Sequence, residues 1–115
     1  MKLDEFFRCV GGDYGEAKAR FQNDERIVRF LNMFPGDDSM QNLTNAMNTG
    51  DTTTAFCAVN TLKGVAQNLG FDGLYRAAFA LTEEMRGGKP LTDTALYEAV
   101  TKQQQIVIDA VRQLA

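Results

Sequence analysis

The sequence predicts an all-α protein, an antiparallel up-down four-helix bundle with short helices packed across one end. Three observations lead there. Every segment between turn signals carries apolar residues at three- and four-residue steps, none alternates as a strand would, and the longer segments are joined by short loops that favour antiparallel neighbours.

In chain order, Leu3 to Cys9 is a short lead-in helix closed by Gly11-Gly12. Asp13 then caps a second short helix in which Tyr14, Ala17 and Phe21 share a face. Asn23 or Asp24 opens the next, with Ile27, Phe30, Leu31 and Phe34 on one stripe and Pro35-Gly36 stopping it. Asp37, Asp38 or Ser39 starts a helix carrying Met40, Leu43 and Met47, closed by Gly50. Asp51 caps a long helix that ends at Leu69, with Gly70 in the position after the last turn. Asp72 caps a helix through Leu74, Ala78, Leu81 and Met85, ended by Gly87-Gly88 and Pro90. Thr92 or Asp93 begins the last helix, where Leu96, Val100, Val107, Val111 and Leu114 recur and Gln103 or Gln104 interrupts, so its middle should be less well covered.

Composition limits the function. The 115 residues fit one domain, residues 1–115, and 44% apolar with 23% charged residues is ordinary for a globular chain. Net charge is −3, and Lys and Arg form no cluster, so nucleic acid is not an expected partner. No run of about 18 apolar residues offers a membrane span, and the acids of Met1-Lys2-Leu3-Asp4-Glu5 stand where a signal peptide needs apolar residues. The expected setting is cytoplasmic, with no membrane partner. Cys9 and Cys57 are far apart and read as buried thiols. The chain has no histidine, which removes Cys/His zinc sites, histidine general bases and Ser-His-Asp triads. Acidic pairs at Asp37-Asp38 and Glu83-Glu84 read as caps and solvated faces, so neither an enzyme nor a metal centre is expected, and no cofactor.

The segment 51–69 is the informative one. At about 100° per residue, Ala55, Ala58, Leu62, Val65 and Leu69 point one way and form the expected buried stripe. Thr53, Phe56, Asn60, Lys63, Gly64 and Gln67 lie opposite. Gly64 costs about 1 kcal/mol relative to alanine inside a helix. Either it clears space beside Asn60 for a close partner, or it eases packing against another helix. Phe56, one turn before Asn60, is either the edge of a docking patch or tucked beneath a neighbour, with partial burial expected. Lys63 alone reads as a solvated lysine.

The string Asn60-Thr61-Leu62-Lys63-Gly64-Val65-Ala66-Gln67-Asn68-Leu69-Gly70 resembles the signature of histidine-containing phosphotransfer (HPt) domains, which has a His, a Ser or Thr, Leu, Lys, Gly, a small residue, Ala and then Asn-Leu-Gly. Gly12-Asp13-Tyr14 with Ala17 and Phe21, Asp24-Glu25, Gly50-Asp51 with Ala55-Phe56, and Leu81-Thr82-Glu83-Glu84-Met85-Arg86 extend the resemblance over nearly the whole chain. It implies an HPt-like bundle acting in two-component phosphorelay signalling. The implied partner is the receiver domain of a response regulator or hybrid histidine kinase. The implied docking residues are Phe56, Asn60, Lys63, Gly64 and Gln67, with Lys63 stabilising phosphoryl oxygens.

The departure is at position 60, where the family has its phosphoacceptor histidine. The Asn60 amide nitrogen has its lone pair delocalised into the carbonyl and is no nucleophile, and Thr61 points sideways with no base to activate it. The chain therefore reads as a pseudo-phosphotransfer module that docks without carrying phosphate. Two alternatives stand beside it: an active histidine phosphocarrier in its native form, with Asn60 a substitution or variant, and a non-catalytic helical adaptor.

Overall fold

The structure, a computed structural model, describes residues 1–114, and among them every regular element is helical. The elements are α1 (Leu3–Cys9), α2 (Tyr14–Phe21), α3 (Asp24–Met33), a single 3-10 turn (Phe34–Gly36), α4 (Ser39–Thr49), α5 (Thr52–Leu69), α6 (Asp72–Glu84) and α7 (Ala95–Arg112). Consecutive long helices pack on one another, α4 on α5, α5 on α6 and α6 on α7, while α1 lies against α2 and α7 and α2 against α3. No helix among the described residues is long and apolar enough to cross a membrane.

Local chemistry sets most boundaries. The Asp13 carboxylate accepts from the Glu16 amide at 3.0 Å, and the Asn23 side chain accepts from the Arg26 amide at 2.9 Å, each satisfying a donor the first helical turn leaves free. Gly50 and Gly70 close α4 and α5 in the left-handed conformation, with φ of 74° and 80°. The next amides, of Asp51 and Phe71, then reach back to Ala46 O and Ala66 O, both at 2.9 Å, completing a Schellman-type stop. Two predicted starts move. Asp72 is the first residue of α6 rather than its cap, because Phe71 holds the cap position with its ring fully buried. At α7, Asp93 accepts from the Ala95 amide at 2.9 Å, so the helix begins two residues after it. At α4 the helix begins at Ser39, the last of the three expected starts, whose amide donates to the Asp37 carboxylate at 2.9 Å.

The core joins Phe6, Phe7, Ile27, Leu31, Phe34, Leu43, Leu62, Phe71, Leu74, Leu81, Met85 and Val107 with smaller residues. The structure corrects two expectations about burial. Phe30 leaves the α3 stripe: it is 39% exposed and packs on Phe21 with ring centroids 5.1 Å apart. Both thiols are exposed, since Cys9 ends the outer side of α1 and Cys57 sits beyond the covered arc of α5.

The interruption in α7 is real: between Val100 and Val107 no residue of 101–106 is fully buried. Val100 and Val107 on either side are fully buried, and the Gln104 Oε1 atom is shut off from solvent with no hydrogen-bond partner among the described residues. An unpaired buried carbonyl costs more than an apolar group of the same shape. Gln104→Met is therefore expected to raise stability by about 1 kcal/mol in chemical denaturation. A loss of similar size would show that this oxygen is satisfied.

Candidate functional site

Helix α5 is fixed at both ends. At its start the Asp51 carboxylate accepts from the Thr54 hydroxyl at 2.7 Å and the Thr54 amide at 3.1 Å, and these bonds hold the carboxyl below the usual aspartate range. At its end, Arg20 of α2 donates from Nη1 to the carbonyls of Gln67 and Asn68 at 2.8 and 2.7 Å. A cation on terminal carbonyls suits the negative end of the helix dipole.

Between these anchors the buried arc comprises Ala55, Ala58, Val59, Leu62 and Ala66. It is rotated from the predicted stripe: Val59 and Ala66 join it, while Val65 and Leu69 are only half-buried. The rotation follows from α5 being packed by α4 on one flank and α6 on the other. The ridge opposite is intact. Thr53, Asn60 and Gln67 are exposed, and Phe56, Lys63 and Gly64 half-exposed. The Asn60 amide makes no hydrogen bond to the described residues. A Cβ built on Gly64 meets nothing within 4 Å, so of the two readings of this glycine, packing against a helix is removed and open space remains.

Helix α6 adds a flank that the sequence did not single out. The Lys63 ammonium lies 5.6 Å above the Phe79 ring, itself 45% exposed and 6.1 Å from Tyr75. The Arg86 guanidinium lies 5.9 Å over Phe56, whose ring also packs against the edge of the core and is partly buried. Glu83 accepts from Arg86 Nε at 3.2 Å, and this bond, with the charges of Arg86 and Lys63, holds its carboxyl below the usual glutamate range. The available signal for Phe79 is the Tyr75/Phe79 four-residue pair, which falls off the buried Leu74–Ala78–Leu81 line.

The Thr61 hydroxyl donates to Cys57 O at 3.0 Å, tied to its own helix backbone, and no basic side chain among the described residues hydrogen-bonds to it. Cys57 lines a groove against α4 with Asn42, Asn45, Thr49, Thr54 and Thr61. Among the described residues no three His, Cys, Asp or Glu side chains gather as a metal site would require.

No protein-family model, curated protein or solved structure matches the chain. The functional reading therefore rests on the ridge itself. Because nothing contacts the Gly64 position, Gly64→Ala should stabilise the helix by roughly 0.5–1 kcal/mol. The same methyl narrows the approach to Asn60, so if a partner docks on this ridge its affinity should fall while the melting temperature rises. Affinity unchanged by the substitution would remove Gly64 from the docking surface.

Proposed function

We propose that the chain is a pseudo-phosphotransfer module of two-component signalling that docks a receiver domain through the α5 ridge and carries no phosphate. The observation that carries this reading is the joint exposure of Asn60, Lys63, Gly64 and Gln67 on one ridge, with open space at Gly64. A helix serving only as scaffold gains nothing from an interior glycine whose absent side chain touches nothing. The resemblance of residues 60–70 to the HPt signature supplies the partner class.

In this reading α4 to α7 form the family's antiparallel four-helix bundle, with the short helices across one end. The succession of contacts from α4 to α7 supports it, as does the Tyr97 hydroxyl, which donates to Thr44 Oγ1 at 3.1 Å and ties α7 to α4. The setting is the cytoplasm, where receiver domains reside, and the module itself has no enzymatic activity.

Phosphoryl transfer asks chiefly for a positioned nucleophile and stabilised charge. The ridge offers Lys63 for charge and Asn60 where the nucleophile belongs. Titration against the receiver domains of the same cell should find one that binds, with Lys63→Ala and Gln67→Ala each lowering affinity. Asn60→His should take up label from that receiver once it is phosphorylated, while the Asn60 protein takes up none. Binding by no receiver sinks the proposal. Label on the Asn60 protein would show that phosphate goes elsewhere.

A further inference from the structure

The same ridge carries an internal occupant, whose role rests on reading the ridge as a docking surface, though not on the partner being a receiver domain. Along all of α5 the single charged side chain is Lys63, in a chain whose net charge is −3. Arg86, just past α6, brings a second cation to the same flank. Each is seated on an aromatic ring, Lys63 over Phe79 and Arg86 over Phe56. Cations held against ring faces lose less side-chain freedom when an anion arrives. Lys18 also lies over a ring, that of Tyr14, but away from α5 and paired with Asp24.

Glu83 is hydrogen-bonded to Arg86, at 3.2 Å from Nε and 2.5 Å from Nη2, on the α6 side of the flank that Lys63 shares. We propose that Glu83 occupies a carboxylate-binding position formed by Lys63 and Arg86, and that a partner's clustered carboxylates displace it while its apolar rim packs on Phe79 and Phe56. Glu83 thus weakens docking and sets its salt dependence. The Glu83 and Arg86 side chains are 43% and 58% exposed, and exposed pairs of this kind add little to stability, so exchanging one carboxylate for another costs the fold little. Charge complementarity selects the partner's chemistry: an acidic protein face on the flank of α5 where Lys63 and Arg86 lie.

The test uses poly-L-glutamate as the probe, with amide chemical shifts of the full chain as the readout. Glu83→Gln should bind it about three- to tenfold tighter than the parent at low ionic strength, with the advantage shrinking at high salt. Shifts should centre on α5 and α6, and adding Lys63→Gln or Arg86→Gln to Glu83→Gln should cancel the gain. Equal or weaker binding by Glu83→Gln overturns the inference, as do shifts centred on Arg20, Arg26 and Arg29. If these results hold while no receiver domain binds, the carboxylate position stands and the receiver assignment falls.

Discussion

Phe71→Ala is expected to cost about 3–5 kcal/mol of folding stability, the range for removing a buried aromatic side chain. The ring is fully buried where α5 hands over to α6, with centroids 5.0 Å from Phe34 and 5.9 Å from Phe6, both edge-on. Phe6 in turn meets Phe7 edge-to-face at 5.2 Å. Truncation would empty the place where the N-terminal helices rest on the α5–α6 junction. The Phe71 amide bond to Ala66 O would survive, because it belongs to the backbone. Domains of this size are stable by only about 5–15 kcal/mol, so urea denaturation should find Phe71→Ala close to the edge of folding. Phe71→Leu keeps most of the apolar volume and should cost far less. A loss below about 1 kcal/mol for the alanine variant would show that the ring is not in the core.

Gly12→Ala is the second large effect, and its cause is space rather than backbone conformation. A Cβ at this position would collide with Gly70 O and fall 3.3 Å from the Phe7 ring. The carbonyl belongs to the turn that ends α5 and cannot swing aside as a side chain could. Meanwhile the Gly12 amide is held by Phe7 O at 2.8 Å. Relief requires the loop between α1 and α2 to move off the end of α5, which should cost about 1–3 kcal/mol or more. Thermal unfolding should show a drop of several degrees, and amide exchange should speed up at Gly70 and Phe71. The same replacement at Gly64 is expected to have the opposite sign, since that position opens on nothing. One glycine makes room for this chain's own backbone, and the other opens on empty space.

The contrast between these glycines shows what a single sequence conveys. Cap chemistry is local, so Asp13, Asn23 and Asp51 at helix starts and Gly50 and Gly70 at helix ends are legible from residue type alone. Helix periodicity likewise places Asn60 opposite Leu62. What needs tertiary packing is not legible. Val59 and Ala66 enter the buried arc because two neighbours flank α5, and a one-helix projection assumes a single covered side. Spacing puts Phe30 in the core, yet the core beside α3 is already filled by Ile27, Leu31 and Phe34. Phe30 therefore packs on Phe21 at the surface.

Asp72 has the residue type of a cap, because acids cap helices. The Schellman stop at Gly70 instead delivers Phe71 to that position, leaving Asp72 in the first turn, where its charge still suits the dipole. Gln22 ends α2 at a φ of 77°, a conformation its residue type does not advertise. The α6 flank of the ridge is hidden for a related reason: Phe79, Glu83 and Arg86 acquire meaning only when α6 is laid beside Lys63 and Phe56.

Receiver docking requires the ridge of α5 to be the contact surface. Amide chemical-shift mapping during a receiver titration tests that most directly. Perturbations should concentrate at Phe56, Asn60, Lys63, Gly64 and Gln67 and spread to Phe79 across the α5–α6 flank. A receiver that perturbs α3 or α7 and leaves these residues silent would contradict it.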